Sequence, residues 1–168
     1  MEDKGTVERL TYFFQGEFNL ENTNELLGIL NSDGGELGLD LFIQSSGGEM
    51  SCLNVILHAL NNRTNVKIYP TIECSSAAFL LLLNSEHPVV LKDTTTVCTV
   101  HLPRVFASVD SKGFSEESKV FLNAFKYCNY TKQLLELDIP KSKLRDLQKG
   151  KDVELYYEDY VNLFKKDE

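Results

Sequence analysis

The stretch Thr71-Ile72-Glu73-Cys74-Ser75-Ser76-Ala77-Ala78-Phe79-Leu80-Leu81-Leu82-Leu83 decides the reading of this chain. Its second half is wholly apolar and too long for an ordinary strand. Ala and straight-chain Leu suit a buried helix better than a strand. Just upstream, Val66-Lys67-Ile68-Tyr69 alternates apolar and polar residues and reads as a short strand. The order is therefore strand, turn, small hydroxyl residues, buried helix. Two roles are open to the serines. Ser75 or Ser76 can cap the helix, as serine commonly does. Alternatively, one of them is a nucleophile. The helix dipole favours negative charge at that end, and unpaired backbone N–H groups can hold an oxyanion there.

Working outward, Leu39–Gln44 reads as a buried strand that runs into Ser45-Ser46-Gly47-Gly48. After it, Leu53, Ile56, Leu57 and Leu60 fall at helical spacing and predict a helix from about Ser51 to Leu60. Towards the N-terminus, Thr11–Phe14 is β-prone and Gly16 marks a turn. A helix over Asn24–Leu30 follows, capped by Asn22 or Thr23 and ended by Asp33-Gly34-Gly35. Downstream, Val89–Leu91 reads as a strand, and Thr94–Val100 as a β-branched run that ends in His101. A long helix is expected from Ser115 to about Leu137, stopped by Ile139-Pro140. A short helical piece at Lys141–Leu147, a break at Gly150, a strand at Val153–Leu155 and a helix at Glu158–Phe164 complete the chain. Strands alternating with helices imply an α/β class with parallel pairing, here in one domain spanning 1–168.

Composition narrows the function. The chain carries 25 Asp and Glu against 17 Lys and Arg, a formal charge of −8. That argues against binding to nucleic acid or an anionic membrane, both of which need cationic surface. The polar, acidic start has no signal-peptide pattern, and the longest apolar run is too short to span a bilayer. A cytoplasmic protein is expected. Cys52, Cys74, Cys98 and Cys128 form no Cys-x-x-Cys pair and read as thiols in a reducing compartment, Cys74 as an inert one. His58, His87 and His101 lack metal-ligand spacing, so neither a metal nor another cofactor is expected.

Acyl transfer by serine needs a nucleophile, a base, a group that orients the base, and oxyanion donors. Ser76 opens a helix, His101 ends a β-run, and Gly47-Gly48 follows a strand. In a parallel sheet such positions gather at one edge.

Those residues carry a resemblance. Leu41-Phe42-Ile43-Gln44-Ser45-Ser46-Gly47-Gly48 is similar to the Tyr-Ile-Asn-Ser-Pro-Gly-Gly of the Clp protease proteolytic subunit, ClpP. Cys74-Ser75-Ser76-Ala77-Ala78-Phe79-Leu80-Leu81 is similar to that family's Ala-Ala-Ser-Met-Gly/Ala-x-Leu-Leu, and Val100-His101-Leu102-Pro103 to its Ile-His-Gln-Pro. The spacings, 29 positions from Gly47 to Ser76 and 25 from Ser76 to His101, match without a gap. The resemblance runs from about Thr11 to Phe164. It implies a ClpP/crotonase-like fold of repeated β-β-α units, with a mostly parallel sheet and a protruding handle helix at 115–137 that mates two rings.

For function, the resemblance implies a serine endopeptidase that cleaves peptides or unfolded protein inside a homo-oligomeric chamber of stacked, heptameric rings. Ser76 would be the nucleophile and His101 the general base, with the backbone N–H groups of Gly47 and Ala77 as the oxyanion hole. Three departures stand out. Ile72 replaces a Gly, and Ser46 replaces the Pro of the Ser-Pro-Gly-Gly turn. Gly150 falls where the family has the Asp of its triad. Asp146 is then the preferred third member and Asp152 the alternative. Only about ten residues precede Thr11 (1–10), where the family has an axial loop that meets an AAA+ unfoldase; this argues against such a partner and resembles the compact ClpP-like proteins of bacteriophages. A catalytically degenerate subunit with an assembly or regulatory role is the alternative reading. Crotonase-type acyl-CoA chemistry would leave the serine–histidine register unexplained.

Overall fold

The structure, a computed structural model, describes residues 8–32, 36–104 and 129–165. It divides into two compact units, Met1–Thr99 with Glu154–Glu168, and Val100–Val153. None of its described helices is long and apolar enough to cross a membrane.

The first unit is built on a three-stranded parallel sheet, β1 (Arg9–Gln15), β2 (Gly38–Ser45) and β3 (Val66–Cys74), in that order. The helices α1 (Leu20–Asn31) and α2 (Met50–Asn61) are the crossover connections that parallel pairing requires. Leu39, Leu41 and Ile43 of β2 and Leu53, Ile56 and Leu60 of α2 are fully buried. The opposite face of the sheet stacks three aromatic rings, one from each strand. Phe13 lies 4.7 Å from Phe42, and Phe42 lies 4.6 Å from Tyr69, over which Lys92 Nζ sits at 4.9 Å.

Several expected boundaries move. Helix α1 begins at Leu20, capped by Asn19, whose side chain accepts the Asn22 N–H at 2.9 Å. The expected caps Asn22 and Thr23 therefore lie inside the helix. Strand β3 does not stop at Tyr69 but runs on to Cys74. It passes through Pro70, and its pairing with β2 slips where Ile43 is opposite Pro70 and Ser45 is opposite Cys74. The expected strand at Val89–Leu91 reduces to a single bridge, Ile68 with Val89. The expected run from Thr94 shortens to β4, Cys98–Val100, and a bridge at Val97 before it, because Asp93 ties the preceding residues into a turn through the Thr95 N–H and hydroxyl. Helix α3, Ala77–Asn84, is buried along almost its whole length, as its apolar run requires. Strand β5 (Val153–Leu155) pairs with β4 in a two-stranded sheet. The helix expected at Glu158–Phe164 is a single α-turn, Tyr157–Tyr160, followed by a 3-10 turn, Val161–Leu163.

In the second unit, α4 (Asn129–Leu135) and α5 (Lys141–Gln148) bury Thr131 and Leu134, and Leu147. The expected handle helix over 115–137 lies outside the described residues up to 128; of its expected range, the described residues show α4 alone.

Candidate active site

Ser76 stands where β3 turns into α3. Its backbone has φ 53° and ψ −121°, a conformation that residues other than Gly rarely adopt. At this turn Ser76 is half-buried. From Cys74 to Leu82, Ser76 is the one residue that is not buried. It makes no side-chain capping bond to the helix. The neighbouring serine does not cap either. Ser75 Oγ accepts the Thr99 N–H at 2.8 Å. The capping role that the sequence leaves open is thus taken by neither hydroxyl, and Ser76 keeps its Oγ uncommitted to the helix end.

The turn is held on two sides. The Ser75 N–H donates to Ser45 O of β2 at 2.9 Å, and the Ser76 N–H donates to Thr99 O at 2.8 Å. Strained backbone persists only where its surroundings over-determine it, and such strain gathers at functional sites.

The loop after β2 meets this turn. Gly47 has φ +104°, and a Cβ built on it would stand 2.6 Å from Ser76 Cβ and 2.9 Å from the Ala77 N. No side chain fits there, so the glycine brings its backbone against the serine and the first amide of α3. The Ala77 N–H, at the start of a helix, has no acceptor within that helix. The loop is pinned from the β1 side, with the Phe18 N–H donating to Gly47 O at 2.7 Å and the Glu49 N–H to Phe18 O at 2.8 Å. The Gly47 N–H itself donates to Ser45 Oγ at 3.1 Å. This contact was not foreseen in the sequence, where Ser45 reads only as part of a turn.

The fold is ClpP-like. It is similar to that of a ClpP1 mutant from Listeria monocytogenes, with a TM-score of 0.64 over 92% of this chain and 86% of that one, at 17% sequence identity. No protein-family description and no curated protein matches the chain. Within the first unit, Gly47, Ser76 and Ala77 lie together.

The other candidates belong to the second unit. His101 Nδ1 lies 2.9 Å from Leu102 O. A carbonyl cannot donate, so Nδ1 is the donor of this bond, which in the uncharged tautomer leaves Nε2 as an acceptor. Asp146 binds Lys151 Nζ at 2.9 Å, and that ammonium holds its carboxyl below the usual carboxylate range. Asp152 pairs with Arg104. Both carboxylates are thus engaged by cations at the surface. Gly150 has φ +76° with open space around it, which suits the turn between α5 and β5.

Cys74 lies two residues before Ser76 but is sealed in the core, where its Sγ donates to Ile43 O at 3.2 Å. Burial pushes its thiol up to about 12, so it is a neutral group and not a competing nucleophile. Among the described residues, no group of acidic, His or Cys side chains could hold a metal ion.

Proposed function

We propose that the chain is a serine-type endopeptidase acting on peptides or unfolded protein. The observation that carries this reading is Ser76 itself: a half-buried serine at a strained strand-to-helix turn, its hydroxyl left out of capping, with the Gly47 backbone packed against it. Helix-capping serines need no such strain. Nucleophiles on a sharp strand-to-helix turn do, because the turn pushes the hydroxyl out of the surrounding fold.

In this reading His101 Nε2 takes the proton as Ser76 Oγ attacks the scissile carbonyl. The Gly47 and Ala77 N–H groups receive the developing oxyanion. Gly47 then exchanges a neutral acceptor, Ser45 Oγ, for a charged one, which is the stronger bond. His101 returns the proton to the leaving amine, and water later cleaves the acyl-serine by the same route. Leu102 O takes the orienting role, with Asp146 and Asp152 left to Lys151 and Arg104. A carbonyl fixes the tautomer but brings no full negative charge to the imidazolium, so a slow enzyme is expected. The reading also carries assembly of this chain into a cytoplasmic ring that encloses the site.

The test is hydrolysis of a set of fluorogenic peptides by the purified protein. Cleavage that is abolished in Ser76→Ala and reduced at least about a hundredfold in His101→Ala is expected. Wild-type protein that is folded and assembled but inert towards every peptide would instead mark a degenerate, structural subunit.

A further inference from the structure

The turn that presents Ser76 depends on a hydroxyl that takes no part in the chemistry above. Strand β3 and the segment leading into β4 run parallel, bridged at Glu73 and Val97. Their ladder is regular at first, with Val97 N–H to Ile72 O at 2.9 Å and Cys74 N–H to Val97 O at 3.1 Å. The next main-chain bond of a parallel ladder would run from the Thr99 N–H to Cys74 O. That amide goes to Ser75 Oγ instead, at 2.8 Å. The ladder then resumes with the Ser76 N–H to Thr99 O at 2.8 Å. A side-chain oxygen has taken the place of a backbone carbonyl at the point where the chain must leave the strand.

We infer that Ser75 is a positioning residue for the nucleophile, its Oγ closing the ladder that holds Ser76 at positive φ; the inference rests on the peptidase reading of Ser76. Three other elements meet at Ser75. Its N–H is held by Ser45 of β2, its Oγ by the Thr99 amide, and its carbonyl accepts the Ala78 N–H of α3 at 2.9 Å. It is buried, so no water stands ready to replace the hydroxyl. Without that oxygen the Thr99 N–H loses its acceptor, and Ser76 loses one of the constraints that keep it out of the ordinary regions of φ and ψ. The consequence falls on the attack and not on binding, because Ser75 is buried, with its N–H, Oγ and carbonyl all bonded to neighbouring elements.

The experiment compares wild type with Ser75→Ala and with Ser75→Cys, which keeps the side-chain size but offers only a weak sulfur acceptor. Three quantities are read: the melting temperature, amide hydrogen exchange at Thr99, and saturation kinetics of Ser76 labelling by a fluorophosphonate. Both variants are expected to melt cooperatively, to exchange the Thr99 amide faster, and to label roughly tenfold more slowly, the size of one hydrogen bond's worth of alignment. The loss should fall on the maximal labelling rate and leave the half-saturating probe concentration unchanged. Labelling of both variants at the wild-type rate overturns the inference and leaves the peptidase reading intact. So does a loss confined to half-saturation. Failure of both variants to fold also overturns it, because Ser75 would then determine the fold and not the site. Wild type that does not label at all overturns the peptidase reading and, with it, this inference.

Discussion

Ser76 and Ile72 both hold positive φ, and for opposite reasons. Ser76 turns with it from β3 into α3 and stays only half-buried. Ile72, with φ 51°, is β-branched and 61% exposed, so it carries the strain without the compensation of burial. Its backbone is clamped by Asp93, whose carboxylate accepts the Ile72 N–H at 3.3 Å, and by Val97. Ile72→Gly is therefore expected to stabilise the fold by about 1 kcal/mol, relief of left-handed strain outweighing the entropy of an added glycine. A thermal melt that moves down by several degrees would show that the isoleucine packs against something that matters. Gly47→Ala runs the other way. The new methyl would press on Ser76 Cβ and the Ala77 N at a φ only glycine tolerates, so a loss of about 1–3 kcal/mol and of serine reactivity is expected in chemical denaturation and probe labelling. Gly47 was legible in the sequence as a glycine after a strand; its packing against Ser76 is seen only in the structure. Ile72 was noticed only as a substitution, because no propensity scale foresees a β-branched residue at positive φ.

Among the elements, β2, α2 and α3 were legible because one signal dominates each. Strand β2 alternates buried and half-buried positions, α2 repeats Leu53, Ile56, Leu57 and Leu60, and α3 is apolar throughout. Strand β3 was underestimated because Pro70 and the acid at Glu73 look like an exit from the sheet. Pro70 has no N–H to give, yet the register with β2 slips there and accommodates it. The end of α1 hid another determinant. Arg63, buried beyond α2, donates to Leu30 O at 2.7 Å and to Leu37 O at 3.0 Å, tying the last turn of α1 to the approach to β2. Arg63→Met keeps much of the packing but removes those donors, and a loss of about 2–3 kcal/mol is expected in urea unfolding. A stability within a few tenths of wild type would mean that water reaches both carbonyls. Nothing in the sequence marks Arg63 as buried, since arginine ordinarily reads as surface.

At the scale of the molecule, pH tests the core that the site rests on. Burial raises the thiols of Cys74 and Cys98 and the phenol of Tyr160, whose hydroxyl donates to Thr96 O at 2.9 Å. The folded state therefore holds these protons more tightly than the unfolded chain. Their stabilisation is complete below the unfolded values, about 8.5 for Cys and about 10 for Tyr, and is lost as pH rises through the folded ones. The melting temperature should fall steadily above about pH 9, and less steeply in Cys74→Ala. A flat profile to pH 11 would show that these groups titrate as if exposed. The overall class was legible because strands and helices alternate along the chain with strong apolar patterns, and the gathering of Gly47 and Ser76 at one sheet edge because each follows a strand of the same parallel sheet. The partner of His101 was not, because its Nδ1 is met by the carbonyl of the next residue, and a main-chain group leaves no mark in the sequence. The most direct test of the central claim is intact-mass and peptide-mapping analysis after treatment with a fluorophosphonate. A single adduct on Ser76, lost in Ser76→Ala while Ser75 stays unmodified, is the predicted result. Folded wild-type protein without an adduct, or with the adduct elsewhere, contradicts it.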